Sequence, residues 1–289
     1  MRRLDRHELD AIRDALCSPE GDALRRLMFR LSLGQRIHGP IELAESLGWV
    51  ESDRLTALGR LVADPLREYS FWLEREGRWP SERRAVVLKR ERHANKSLLA
   101  VGCGGGCNLM SLDGLPGDFL GVEPMPVYVQ IMPILAELAG VQCPRVIQAA
   151  AEALPIPDRT RGLVICYSSH QYMDIDVALG EMVRVLKPGG MLIIVGNSLV
   201  PFAFETVGRF VSDRSLGTLS YDGKALINTL SYQLVGRRVV GGGSGTTTGT
   251  PIYPSLRFMR TRLRALGMTI ADHLCESLPS GETVLVAVR

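Results

Sequence analysis

With 289 residues, 46% hydrophobic and 22% charged, the chain has the make-up of an ordinary globular protein: one large domain, or a medium domain plus a small one. A net charge of +3 is too small to point to nucleic acid, and no apolar run approaches the roughly 18 residues of a membrane helix. The opening MRRLDRHELD has no apolar core and predicts no signal peptide. The six cysteines are scattered without a CxxC pair, which predicts no metal site and suits reduced thiols in a cytoplasmic protein.

Residues 1–93 read as a helical module. Apolar residues recur at helical spacing over 6–16, 21–33, 40–47 and 64–76, with glycine and proline sparse inside these spans. The short helix over 42–47 ends at Gly48. Two extended pieces follow, around Trp49-Val50 and Arg54-Leu55-Thr56, and then another helix, an order similar to a winged helix-turn-helix. A DNA-binding face wants clustered positive charge, yet about 18 Lys/Arg face about 16 Asp/Glu before residue 96. The module is therefore expected to mediate dimerisation or to cover a substrate. Arg83, Arg84, Lys89, Arg90 and Arg92 read as a solvated basic linker.

Residues 94–289 read as an α/β domain. The apolar run Leu98–Val101 is a strand that breaks into Gly102-Cys103-Gly104-Gly105-Gly106. A short helix over 107–112 leads to a second strand, Phe119–Val122, which ends in Glu123. Strand, glycine turn, helix, strand and terminal acid make a nucleotide-binding unit. Glycines let backbone lie against a ligand, and the acid can accept both ribose hydroxyls. A helix over 127–138 closes at Gly140. A third strand is predicted at 144–148, a fourth at 162–166, a helix at 176–185, a turn at Lys187-Pro188-Gly189-Gly190 and a fifth strand at 191–196. Residues 197–250 fit no α/β repeat. Helical patches at 202–211 and 223–234 carry Phe202, Phe204, Phe210, Tyr221 and Tyr232 as exposed aromatics, and they lead to the glycine-rich 241–250; this insertion reads as a lid. A helix over 255–266 capped by Gly267 precedes strands at 268–275 and 283–288, expected to pair as an antiparallel hairpin.

LLAVGCGGG, GVEP, AEALPIPD and EMVRVLKPGGMLIIV occur in this order, and together they resemble the successive motifs of class I S-adenosylmethionine-dependent methyltransferases, nearest the ubiquinone and menaquinone methylases and small-molecule methylases. The resemblance covers about residues 95–200. It implies a Rossmann-like sheet and S-adenosylmethionine as cofactor. It also implies that Gly102, Cys103, Gly104 and Gly106 approach the methionine half, Glu123 the ribose, Pro124, Met125, Ala150 and Ala151 the adenine, and that Cys166 and Tyr167 lie beside the reactive methyl. Two positions depart from the pattern. The acid two residues before the glycine loop is Ala100, and the acid that accepts from the adenine amino group is Ala150; Gln148 is the substitute acceptor nearest in sequence.

The expected activity is methyl transfer to the oxygen, nitrogen or carbon of a small molecule in secondary metabolism. Alignment of acceptor and methyl is the main requirement, aided by a general base for acidic acceptors. His170, in SSHQY past the fourth strand, is the candidate base, with Tyr167 and Tyr172 as catalytic or wall residues; His38 and His273 have no motif context, and Cys107 reads as core. Two rivals stand beside this reading. One is a nucleic-acid methylase or DNA-binding regulator, against which residues 166–172 read CYSSHQY rather than Asn/Asp-Pro-Pro-Tyr. The other is a methyltransferase-fold binding protein without turnover, motivated by Ala100 and Ala150. No membrane association is expected, and a homodimer through the N-terminal module is compatible with the sequence.

Overall fold

A computed structural model describes residues 2–35, 38–75, 89–213, 216–240, 250–277 and 282–289. Helix α1 (Arg6–Cys17) opens on a capping box: Glu8 N–H donates to Asp5 Oδ1 at 2.8 Å and Asp5 N–H donates to Glu8 Oε2 at 3.0 Å. Helix α2 (Gly21–Ser32) buries Leu24, Leu27 and Met28, and α3 (Ile41–Ser46) follows. Strands β1 (Val50–Glu51) and β2 (Arg54–Leu55) pair around Ser52 and Asp53, both at positive φ, the backbone that a tight hairpin demands.

Helix α4 (Ala57–Glu74) starts seven residues before the expected 64. Thr56 caps it by accepting from Gly59 N–H at 2.9 Å, and Gly59 packs so closely on the Trp49 carbonyl that no side chain fits there. Pro65 looks like a first-turn residue in the sequence. Packing of Val62, Leu66 and Tyr69 holds it inside the helix instead. The order of helices and hairpin matches the expected one.

The sheet is built from β3 (Ser97–Val101), β4 (Asp118–Val122), β5 (Val146–Ile147), β6 (Arg161–Tyr167), β7 (Leu186–Asn197), β8 (Thr269–Ile270), β9 (Glu276–Ser277) and β10 (Glu282–Val288). Its order is β5-β4-β3-β6-β7-β10-β8, with β9 also on β10. Strands β3 to β7 are parallel, and β10 runs antiparallel between β7 and β8. Helices α5 (Cys107–Met110), α6 (Pro126–Ala139), α7 (Ile175–Val185) and α10 (Leu256–Ala265) connect and cover the strands, while α8 (Leu199–Asp213) and α9 (Leu216–Val235) form the insertion after β7. This is the expected Rossmann-like mixed sheet with a C-terminal antiparallel strand.

Three local expectations are corrected. Lys187–Gly190 is not a turn ahead of the fifth strand but the irregular first part of β7: Arg161 pairs with Leu186 and Leu163 with Met191, so the extra residues bulge out, and Gly189 N–H donates to the Arg289 carbonyl at 2.9 Å. The predicted strand 268–275 is broken by a 3-10 turn at Asp272–Leu274 into β8 and β9, each pairing with β10. The third strand shrinks to Val146–Ile147.

One apolar core lies between β3, β6, β7 and the helices α7 and α10. A second joins the N-terminal helices to the α/β part: Leu24, Leu27, Met28, Val62 and Leu66 share a cluster with Val127, Ile131 and Leu135 of α6. None of the described helices is long and apolar enough to cross a membrane.

Candidate active site at the glycine loop

Strand β3 lies between β4 and β6, where the order of the parallel strands reverses, and open α/β sheets bind ligands outside the carboxyl ends of strands at such a point. The loop after β3 is held in a shape that glycine favours. Gly102, Gly104 and Gly106 have φ of +66°, +55° and +74°. A Cβ at Gly102 would collide with the Ser169 side chain, one at Gly104 with the Glu68 carboxylate, and one at Gly106 would sit 2.8 Å from Met132 Sδ. Gly102 and Cys103 N–H groups donate to the Val122 carbonyl at 2.8 and 3.1 Å and tie the loop to β4.

Glu123 leaves the end of β4 and turns back onto this loop. Its Oε2 accepts from Gly104 N–H and its Oε1 from Met125 N–H, both at 2.9 Å. The carboxylate is buried, and burial raises its pKa although the two N–H donors pull the other way. A carboxylate has about four acceptor positions, so two remain for hydroxyls. Pro124 and Met125, both partly buried, follow at the start of α6. Ala150 is partly buried and Ala151 is buried in the sheet core. Gln148 Oε1 accepts from Arg3 at 3.2 Å and its Nε2 faces the Pro124 carbonyl at 3.5 Å, so this side chain bridges the N-terminal segment to the strand-end loops.

The end of β6 supplies the other wall. Cys166 is fully buried, its thiol 3.3 Å from Ser169 Oγ and pushed up to about 11 by burial. Ser168 holds φ of +51°, a costly conformation for a residue with a side chain, of the kind that clusters at working sites. Ser169 Oγ donates to the Val101 carbonyl at 3.0 Å, locking β6's end to β3 beside Gly102. Tyr167 OH and Ser168 Oγ donate to the Glu282 carboxylate at 3.2 and 3.3 Å. His170 is buried in the 3-10 turn His170–Tyr172, its Cε1 pressed to 2.6 Å from where a Gly196 Cβ would stand. Burial pulls its pKa down to about 4 against a hydrogen bond to the Asn197 backbone, and Nδ1 has no hydrogen-bond partner among the described residues. Tyr172, by contrast, is exposed. Cys103 is partly buried and Cys107 lies in the core as expected, both thiols raised by burial.

Helix α4 closes the site from above. Glu68, Trp72 and Arg75 recur at i, i+4 and i+7, so they share one helical face. Glu68 Oε2 accepts from Gly105 N–H at 2.9 Å, Trp72 Nε1 donates to Ser111 Oγ at 2.8 Å, and Arg75 is electrostatically linked to Tyr167 and Glu282. Burial, with Glu123 nearby, lifts Glu68 to about 7. Sequence reasoning missed Glu68, Ser169 and Glu282. Ser169 stands in the SSHQY stretch beside the candidate base, whereas nothing local marks the two acids.

The insertion is anchored over the same edge. Tyr232 OH donates to Asp174 Oδ1 at 2.9 Å, Arg238 donates to the Met173 carbonyl at 2.9 Å, and Ile252 N–H to the Gln171 carbonyl at 2.9 Å. Two of the aromatics expected to be exposed are buried: Phe202 stacks on Tyr253 with ring centroids 3.8 Å apart, and Tyr232 of α9 packs edge-on against Phe258 of α10. Phe204 and Tyr221 are exposed as expected, while the Phe210 side chain and residues 241–249 lie outside the described residues. Arg83 and Arg84 of the basic linker lie outside them too.

Residues 99–194 match the protein family described as Methyltransferase domain. The chain is 37% identical over 121 residues to a demethylmenaquinone methyltransferase of Thermus thermophilus, an alignment covering 41% of this chain and 53% of that protein. It is 30% identical over 113 residues to the uncharacterized methyltransferase YcgJ of Bacillus subtilis (39% and 45%), and 34% identical over 98 residues to a fatty-acid O-methyltransferase of Mycolicibacterium smegmatis (33% and 35%). The chain thus spans about half the length of the first two of these relatives. Among solved structures, the PH0226 protein of Pyrococcus horikoshii shares the fold, with a TM-score of 0.53 at 16% identity over 77% of this chain and 91% of that one. The stretch that carries the glycine loop and Glu123 is therefore a methyltransferase domain, similar to the class I S-adenosylmethionine-dependent methyltransferases, whose cofactor is S-adenosylmethionine.

Proposed function

We propose that this chain transfers a methyl group from S-adenosylmethionine to the oxygen, nitrogen or carbon of a small molecule, in secondary metabolism and in the cytoplasm. The observation that carries the reading is Glu123, buried at the mouth of a glycine loop whose N–H it holds while keeping acceptor positions open. Gly102 and Gly104 would let the methionine half lie against backbone, Glu123 would accept the ribose hydroxyls, and Pro124, Met125 and Ala150 would border the adenine. When bound, the cofactor supplies an electrophilic methyl on a sulfonium. The chain's own task is then to hold the acceptor in line and keep water out.

The acceptor side is bounded by Tyr167, Tyr172 and the α8–α9 insertion, which serves as the lid. Val200, Phe204, Val207, Ile227 and Leu230 are exposed on that insertion and support an apolar acceptor, in keeping with the quinone and fatty-acid names of two relatives. His170, buried and pulled down to about 4, is a weak base in this arrangement and supports the turn under the site. The N-terminal module covers the cofactor through α4, and its outer surface is available for a homodimer.

The test is calorimetric titration with S-adenosylmethionine and S-adenosylhomocysteine, beside Glu123→Ala. The charge-assisted hydrogen bonds from the ribose together are worth about 3 kcal/mol, so the variant is expected to lose about 100-fold in affinity. Equal binding by wild type and variant would remove Glu123 from the site. Absence of binding by folded wild type would shift the reading to the non-catalytic rival.

A further inference from the structure

Two residues before the glycine loop, where the resemblance leads one to expect an acid, β3 carries Ala100 and offers no carboxylate to the charged end of the cofactor's methionine half. Ala100 is buried in the apolar cluster that also holds Leu98 and Ile165. Yet the glycine loop does face a second acid. Glu68 enters from α4, with its Oε2 on Gly105 N–H at 2.9 Å and its carboxylate against the open face of Gly104, where even a methyl group would collide. Among the described residues no basic side chain forms a salt bridge with it; Arg67, the nearest cation in sequence, pairs with Asp64 at 3.1 Å. Glu123 lies close enough to raise Glu68 further. Two acids thus meet at one backbone loop with N–H donors, and among the described residues neither forms a salt bridge, Arg67 acting on Glu68 only from a distance. Such an arrangement is unfavourable by itself and is relieved by a cationic ligand.

We propose that Glu68 is a cofactor-binding residue supplied by the N-terminal module, whose carboxylate receives the α-ammonium of the methionine half at the glycine loop. This rests on the methyltransferase reading above and assigns a specific contact within it. The i, i+4, i+7 face of α4 then does more than cover the site, because it completes the set of groups that recognise the ligand's zwitterionic end. An isolated α/β domain would lack that contact.

Two probes separate the roles. S-adenosylhomocysteine carries the amino acid end, and 5′-methylthioadenosine keeps the adenosine but lacks it. Both are titrated calorimetrically at pH 8, where Glu68 is ionised, into wild type and Glu68→Gln, a near-isosteric change whose folding is checked by thermal melting. The expected result is a loss of about 10-fold or more for S-adenosylhomocysteine with less than about 2-fold change for 5′-methylthioadenosine. Unchanged or tighter binding of S-adenosylhomocysteine would overturn the proposal and mark Glu68 as a side chain that vacates the loop. Equal losses for both probes would also overturn it, leaving Glu68 as a prop for the loop. If folded wild type binds neither probe, the cofactor reading itself fails, and this proposal with it.

Discussion

The two halves of the site are built by different means. On the glycine-loop side, backbone does the work: three left-handed glycines, N–H groups of residues 104, 105 and 125, and two carboxylates held within hydrogen-bond distance of them. On the acceptor side, side chains reach across long stretches of sequence. Tyr232 meets Asp174, Tyr167 meets Glu282, and Arg238 meets the carbonyls of 171 and 173. The first half is tightly specified and tolerates little change. The second is an insertion with a buried anchor and several exposed apolar side chains, and under the proposed reading it is the part that can vary with the acceptor while the cofactor half stays as it is.

That contrast can be broken most severely at Gly102. Gly102→Val puts a branched side chain at φ of +66° and into Ser169, and it is expected to cost about 3 kcal/mol of stability and to abolish cofactor binding in calorimetry. A folded variant that binds S-adenosylhomocysteine normally would show that the loop is not the cradle. Glu123→Ala comes next, with its loss of about 100-fold. Glu68→Gln sharpens the comparison from the protonation side, without any ligand. The folded-state pKa of Glu68 is raised to about 7 from an ordinary 4.5. Burial and the neighbouring Glu123 and Asp64 raise it, while Gly105 N–H and Arg67 oppose them. The protonated acid therefore favours the folded state: its contribution is full below about pH 4.5 and is lost as the pH rises through about 7. The variant should match wild type at pH 4.5 and exceed it at pH 8, by about 1 kcal/mol after allowance for solvent screening, or roughly 2–4 °C in melting temperature. A pH-independent difference would refute the shift. The smallest effect is expected at Tyr232→Phe. Removing the hydroxyl that bonds Asp174 should lower stability by about 1 kcal/mol and impair acceptor turnover, while cofactor affinity stays within about 2-fold. A matching loss of cofactor affinity would mean that the two halves are coupled.

The cofactor half was legible in the sequence because its parts are local. A strand, GCGGG, a second strand and Glu123 fall within 27 residues, and their chemistry depends on backbone that glycine alone makes available. The acceptor half was legible only in outline. Phe202 and Tyr232 read as exposed because residues 197–250 fit no α/β repeat, and only the distant partners Tyr253 and Asp174 show that they are buried. Lys187–Gly190 read as a turn because proline and glycine usually end elements; here the chain end at Arg289 pairs with that stretch and keeps it in the sheet. Glu68 had no local signal, since its partner lies 37 positions further along the chain.

The cluster that unites α2 and α4 with α6 sets a limit on modularity. Ile131 and Leu135 are fully buried in a cluster that takes many of its members from before position 75, so the boundary expected near residue 93 divides the sequence but not this core. Cutting the gene there would strip α6 of its cover and leave an oily helix face on a truncated product prone to aggregate. A graft of this module onto another sheet would have to bring the matching face of α6 with it.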